Sequence, residues 1–300
     1  MRLLVLGSGA GGGLPQWNAL NENGRAAFGR DPLVPFRSQC SLAVSVDGQS
    51  WAILNAAPDL RQQIIDNPAL HPKTGPRSSP IRAVLLTGAE IDQVAGLLTL
   101  RERQAFDLWG SGPTLAALSM NPIFEALSPE HVTRRAVTPG EMFEPLPGLN
   151  VMPLDVPGKA PLYLERTRAN PTDAEPGDSL AYIVACDGKR VVFAPGVKEV
   201  TDDIARAAHG ADVVLVDGTL LTDDEMIRAR EGAKTGRRMG HLPMTGEGSI
   251  VEAFQGIAAK RKLFIHINNT NPAARRDSPA RATLAKAGWE IAEDGMEIVL

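Results

Sequence analysis

The sequence predicts an α/β (α+β) protein in which two mixed β-sheets pack face to face with helices outside. Three observations lead there. Short apolar runs recur along the chain, each suited to a buried strand. Two pairs of runs flank Asp47-Gly48 and Asp187-Gly188, which are hairpin signals. The order strand, hairpin, helix, strand, helix then repeats loosely. Hairpins mixed with isolated buried strands do not fit a purely parallel doubly wound sheet. The 300 residues read as one domain, 1–300.

The elements follow in order. Residues 3–6, Leu-Leu-Val-Leu, form a first strand, ended at once by glycine. Residues 41–46 and 51–55 form the first hairpin. A helix over 58–66 opens on a proline, whose missing N–H costs little in a first turn. Residues 82–87 form a buried strand, and 94–102 a helix. A weakly alternating strand covers 150–156. The second hairpin pairs 180–186 with 190–194. A helix over 201–208 has a threonine cap and early aspartates, which suit the positive helix end. Strands over 212–216 and 262–267, helices over 223–230, 250–259 and 278–287, and strands over 289–292 and 296–300 complete the chain. Residues 159–179 are proline-rich and polar and read as a surface loop or lid.

Composition narrows the function. Hydrophobic residues are 43% and charged residues 22%, and net charge is −4. Those values exclude a disordered chain and a general nucleic-acid binder. No run approaches the roughly 18 apolar residues of a membrane span, so the expected location is the cytoplasm. Cys40 and Cys186 are too few for a disulfide framework or a cysteine zinc site, and read as small core residues.

Five features bear on chemistry. Gly7-Ser8-Gly9-Ala10-Gly11-Gly12 satisfies a dinucleotide pattern after a strand, but Pro15 follows and Asn21, Asn23 and Gly24 read as loop. A tight turn where backbones crowd, or the floor of an anion site, are the other readings. Glu90 and Asp92 follow a buried strand and either hold one cation or cap a helix. Asp217 ends another strand, as an oxygen ligand or in a turn with Gly218. His266 ends an apolar strand before Asn268, Asn269 and Asn271, and His241 sits in a glycine-flanked loop; either is a ligand, or His266 a core residue. Arg228, Arg230, Lys234, Arg237 and Arg238 form a basic run that is a solvated face or a clamp for substrate carboxylates. His71, His131 and His209 read as surface residues.

The segment Leu6-Gly7-Ser8-Gly9-Ala10-Gly11-Gly12-Gly13-Leu14-Pro15-Gln16-Trp17-Asn18 resembles the opening of metallo-β-lactamase-fold proteins. More narrowly, the whole chain resembles the pyrroloquinoline quinone (PQQ) biosynthesis protein B (PqqB) family. The marks include residues 54–61 and 96–102, Phe193-Ala194-Pro195-Gly196, Asp217-Gly218-Thr219, Gly240-His241 and His266-Ile267-Asn268-Asn269-Thr270-Asn271-Pro272. The resemblance implies an αββα sandwich. Its metal motif, His-x-His-x-Asp-His, falls at residues 88–93, where Gly88, Glu90 and Gln93 replace the histidines and Asp92 remains. A further histidine and a bridging aspartate are also replaced, near Lys159 and Gly196. Many relatives carry a cysteine zinc knot after Asn18; this chain has no cysteine there, so structural zinc is not expected.

Two histidines and a carboxylate are ligand types of non-haem iron(II) oxygenases. The family is implied to hydroxylate the tyrosine ring of the glutamate–tyrosine-derived PQQ precursor with iron and oxygen. The expected catalytic residues are Asp92, His241 and His266. Fe(II) is expected on Asp92, His266 and His241, with Asp217 or Glu90 as a further ligand. Arg237, Arg238, Asn269 and Asn271 are the expected substrate-binding residues. A carrier or transport factor for PQQ or its precursor, and a superfamily hydrolase, are the alternatives. The expected partners are that precursor and PQQ, with neither nucleic acid nor membrane; a homodimer stands among the expected assemblies.

Overall fold

The computed structural model describes residues 1–164 and 175–300. Residues 165–174, the middle of the loop expected over 159–179, lie outside the described residues. Two seven-stranded sheets face each other. The first runs in the order β14 (Glu297–Val299), β1 (Arg2–Gly7), β2 (Ser41–Ser45), β3 (Trp51–Leu54), β4 (Ile81–Leu85), β5 (Phe106–Ser111) and β6 (Val132–Val137). The second runs β13 (Glu290–Ile291), β12 (Arg261–Ile265), β11 (Val213–Asp217), β10 (Lys189–Ala194), β9 (Leu180–Cys186), β8 (Leu149–Asp155) and β7 (Phe143–Leu146). Both sheets are mixed: β14 through β3 pair antiparallel and β3 through β6 parallel. Likewise β7 through β10 pair antiparallel and β10 through β13 parallel.

Period-two alternation builds three apolar layers. Leu3, Val5, Leu42, Leu54 and Leu85 of the first sheet meet Val151, Tyr182, Phe193, Leu215 and Leu263 of the second between the sheets. Leu4, Leu6, Ile53 and Val84 face outward onto Leu60, Val94, Leu97 and Leu118. Val192, Val214, Val216 and Phe264 face the other way onto Ile204, Ile250, Phe254, Leu284 and Trp289. Apolar residues on both faces explain why these strands read as continuous runs.

The expected strands are present, with ends shifted by one or two residues. Strands β5, β6 and β7 were not expected. Val132–Val137 carries two arginines on an edge strand, which hides its alternation. The 21–24 stretch is a correction: α1 (Glu22–Phe28) occupies it, with Asn21 accepting from the Gly24 N–H as its cap. Helices α4 (Gly112–Ser119) and α7 (Gly236–Met239) were likewise not expected. The expected helix over 94–102 resolves into α3 (Ile91–Val94) and a 3-10 turn over Ala95–Leu100, because Gly96 packs against the Ala56 carbonyl. The remaining helices are α2 (Leu60–Asp66), α5 (Asp202–Ala208), α6 (Glu225–Ala229), α8 (Ile250–Ala253) and α9 (Pro279–Lys286). No helix among the described residues is long and apolar enough to cross a membrane.

Candidate metal centre

The loops after β1, β3, β4, β10, β11 and β12 converge at one edge of the sandwich and line a cavity of about 490 Å³. The glycine loop after β1 is a strap between the sheets. Gly9 N–H donates to the Ser38 carbonyl, and Ala10 N–H to that of Ile267. The Ile267 N–H returns to the Ser8 carbonyl. A side chain at Gly7 would collide with the Gln39 carbonyl, so backbone crowding accounts for that glycine. Gly11 brings the strap beside the Asp92 carboxylate.

Asp92 lies in the first turn of α3, and His266 directly follows β12. His266 adopts φ +65°, a left-handed conformation uncommon for non-glycine residues and shared here with residues such as Asn55 and Asp187. The two side chains, 174 residues apart in sequence, meet with Asp92 Oδ2 3.1 Å from His266 Nε2. The His241 ring stacks on that of His266, centroids 5.2 Å apart. Burial alone would raise the Asp92 carboxyl; the His266 hydrogen bond and the charges of His266 and His241 hold it below its ordinary value. Burial pulls the His266 imidazole down, but Asp92, then Asp217 and Glu90, raise it above its ordinary value.

Asp217 is fully buried beneath the two rings and lies close enough to form one cluster with His241 and His266. Its four acceptor positions are nonetheless filled. Oδ1 accepts from the Thr219 N–H at 3.0 Å and the Thr219 hydroxyl at 2.6 Å. Oδ2 accepts from the Val197 N–H at 2.9 Å and contacts His241 Nδ1 at 2.7 Å. A carboxylate offers about four lone-pair directions. Asp217 therefore anchors the rings in this arrangement, and with His241 and His266 it also makes up a group of three side chains close enough to hold a metal ion, as expected of a further ligand. Burial opposes its charge, but His241, His266 and Thr219 hold its carboxyl below the ordinary value.

Four other expected site residues are placed as follows. Glu90 lines the cavity, but its carboxylate pairs with Lys159 Nζ at 2.8 Å and accepts the Leu162 N–H. Arg237 does not line the cavity; its guanidinium donates to the Glu247 and Gly248 carbonyls. Asn269 bonds Asn21 and Gln16 side chains away from the cavity lining. Asn271 is fully buried and donates to the Gly218 carbonyl, bracing the turn that carries Thr219. Arg238 does line the cavity, joined by Lys234, and among the described residues neither side chain makes an ion pair. Thr219, Lys159 and Lys234 were missed as individual site residues. Lys234 was visible only as part of a basic run, and Thr219 only as the partner of an Asp-Gly turn. Cys40 is buried at the cavity floor, with its thiol raised by burial and by Asp92, Asp217 and Asp294. Gln93 also faces the cavity, but its Oε1 accepts the Glu90 N–H as a helix cap.

The sandwich and the metal-type cluster at its edge define a protein of the β-lactamase superfamily, and the family model for the beta-lactamase superfamily domain matches residues 50–267. Coenzyme PQQ synthesis protein B of Methylobacterium sp. (strain 4-46) is 48% identical over 300 residues, covering all of both chains. Its counterpart from Gluconacetobacter diazotrophicus is 47% identical over 99% of this chain and 98% of that one. The crystal structure of zinc-bound PqqB from Methylobacterium extorquens is 46% identical, with a TM-score of 0.97 and full coverage of both chains. The chain belongs to the coenzyme PQQ synthesis protein B family.

Proposed function

We propose that this chain hydroxylates the tyrosine ring of the glutamate–tyrosine-derived precursor of PQQ, with one iron(II) held by Asp92, His241 and His266. The observation that carries this reading is the meeting of Asp92 Oδ2 with His266 Nε2 at 3.1 Å, beside the stacked His241 ring. One carboxylate and two imidazoles are the ligand types of a mononuclear iron(II) site with positions left for substrate and oxygen, and Asp217, which clusters with His241 and His266, is the further carboxylate at hand. The places that the resemblance assigns to further histidines hold Gly88, the Glu90–Lys159 ion pair and the capping Gln93. Those side chains do not suit a second ion. Zinc in the relative supports metal binding by this architecture.

Bound iron(II) would supply oxygen activation, and the surrounding side chains do the rest. Lys234 and Arg238 bring two cations to the cavity that make no ion pair among the described residues, suited to the carboxylates of a glutamate-derived substrate. Ile91, Leu162, Met226 and Met239 supply apolar wall for an aromatic ring. Asp217 keeps the His241 ring in place.

The test is anaerobic loading with iron(II), then oxygen and the authentic precursor, followed by mass spectrometry. A hydroxylated product is expected; none, with iron demonstrably bound, would overturn the reading. Carriage of PQQ is the second reading, favoured by Gln93 standing at a place that the resemblance assigns to a histidine. Calorimetry separates the two, since a carrier would hold PQQ after chelation and turn nothing over.

A further inference from the structure

We infer that Thr219 is a positioning residue which, held by Asp217, fixes the proton of His266 on Nδ1 and turns the Nε2 lone pair toward Asp92. This rests on the metal reading above only for its purpose, not for its geometry. Thr219 is 5% exposed and sits one turn beyond β11, braced by Asn271. Its hydroxyl has three polar neighbours: Asp217 Oδ1 at 2.6 Å, His266 Nδ1 at 2.8 Å and His241 Nδ1 at 3.1 Å.

A hydroxyl has one proton to give and two lone pairs to receive with. An ionised carboxylate only accepts, and Asp217 is ionised, with two backbone N–H groups and His241 on its oxygens. The single hydroxyl proton therefore lies on the short bond to Asp217. Toward both rings, Thr219 can only accept. His266 Nδ1 must then be a donor, and so must His241 Nδ1, which gives its proton chiefly to Asp217 Oδ2 at 2.7 Å. One buried carboxylate thus assigns both rings, directly for His241 and through one hydroxyl for His266.

The consequence falls on the opposite side of each ring. With Nδ1 protonated, the Nε2 atom of a neutral ring carries a bare lone pair. His266 Nε2 faces Asp92 Oδ2 across 3.1 Å: the cationic ring donates a proton there, and the neutral Nδ1–H ring offers a lone pair that a metal ion shared with Asp92 would take. A ring in the other tautomer would donate to Asp92 and lose its ligand lone pair. Among the described residues, no other side chain hydrogen-bonds His266 Nδ1, so the selection depends on one hydroxyl.

The experiment is nitrogen-15 histidine NMR on the full chain, metal-free and loaded with zinc alone, combined with zinc titration of variants. Wild type is expected to show Nδ1–H on both His241 and His266, and zinc on Nε2. Thr219→Val, nearly isosteric, is expected to mix the His266 tautomers and weaken zinc by about 10–100-fold, the usual effect of removing a ligand's hydrogen-bond partner. Thr219→Ser should restore both, which separates the hydroxyl from packing. An Nε2–H tautomer or an Nδ1–zinc bond at wild-type His266 would overturn the inference. So would wild-type zinc affinity with an unchanged tautomer in Thr219→Val. A wild-type chain that binds no metal would end the metal reading, while the metal-free spectra would still decide the proton assignment.

Discussion

Asp92 and His266 were legible as residues because each follows a buried apolar strand, where a charged or polar side chain has few other reasons to sit. The sequence did not show how their neighbours were already committed. Asp217 and Glu90 carry the same signal as Asp92, yet one is saturated by four donors and the other paired with Lys159. Partners distant in sequence decide which acid stays available, and strand position alone cannot rank them. Gln93 offers a direct test. Its Oε1 caps α3 through the Glu90 N–H, adjacent to Asp92. Gln93→His is expected to raise iron(II) affinity by at least about tenfold by adding an imidazole, while loss of the cap costs about 1 kcal/mol. Competition with a chelator and a thermal melt read the two effects separately. Unchanged affinity would place that side chain beyond the reach of the metal.

At the scale of elements, legibility followed burial. Strands apolar on both faces stood out, whereas β5–β7 lie toward sheet edges and mix charges into their alternation. Helix α1 was hidden because Asn21, Asn23 and Gly24 resemble turn residues. The asparagines serve a different purpose. Asn23 is buried and donates to the carbonyls of Asn269 and Asn271, and Asn21 bonds the Asn269 side chain. The cysteine-free stretch over 18–24 is thereby fastened to the loop that follows His266. Asn23→Ala would take the donor from the Asn269 carbonyl, at a cost of about 1–3 kcal/mol, while the Asn271 carbonyl keeps the Ala274 N–H; the loss is seen as a lower melting temperature. Helix α6 contributes a second fastening through Glu225, which accepts the Leu221 N–H and the Thr270 hydroxyl. Burial pushes its carboxyl up to about 7, against the pull of those bonds. The folded state therefore binds that proton more tightly than the unfolded chain. Its stabilising effect is full below about pH 4.5 and is lost as pH rises through 7, on the order of 3 kcal/mol at about 1.4 kcal/mol per pH unit. Denaturation between pH 5 and 8 should show that slope, and Glu225→Gln should flatten it.

At the scale of the molecule, the two ends of the chain close on one another beneath the site. Strand β1 pairs with β14, and the glycine strap is tied to the C-terminal segment through Arg37 and Asp294. Arg37 is among the largest fully buried side chains, and burial lowers its guanidinium to about 10. Its Nη1 donates to the Ser8 hydroxyl and the Ala292 carbonyl, and Nη2 lies 3.9 Å from Glu293. Glu293 gathers Arg276 at 2.6 Å and Arg281 at 2.8 Å as well. Burial works against its charge, yet these arginines hold its carboxyl down at about 2. The sign follows from the lowered value: the unfolded chain takes up this proton first as acid is added. The contribution is complete above about pH 4.5 and is lost as pH falls through 2. Glu293→Gln removes that acid-sensitive component and one of the two carboxylates, with Asp294, that face the buried Arg37 guanidinium, and it weakens the charged hydrogen bonds of Arg276 and Arg281, a change that costs about 1.5–3 kcal/mol. Urea unfolding at pH 7 and at pH 3 reads both effects. The wild type should be weaker at pH 3, whereas the variant should be weaker at pH 7 and change less between the two. Because Arg37 also holds Ser8, and Ser8 accepts Ile267 directly after His266, the same variant should loosen zinc binding, and equal affinity in the two proteins would show that this end of the fold is braced independently of the metal centre.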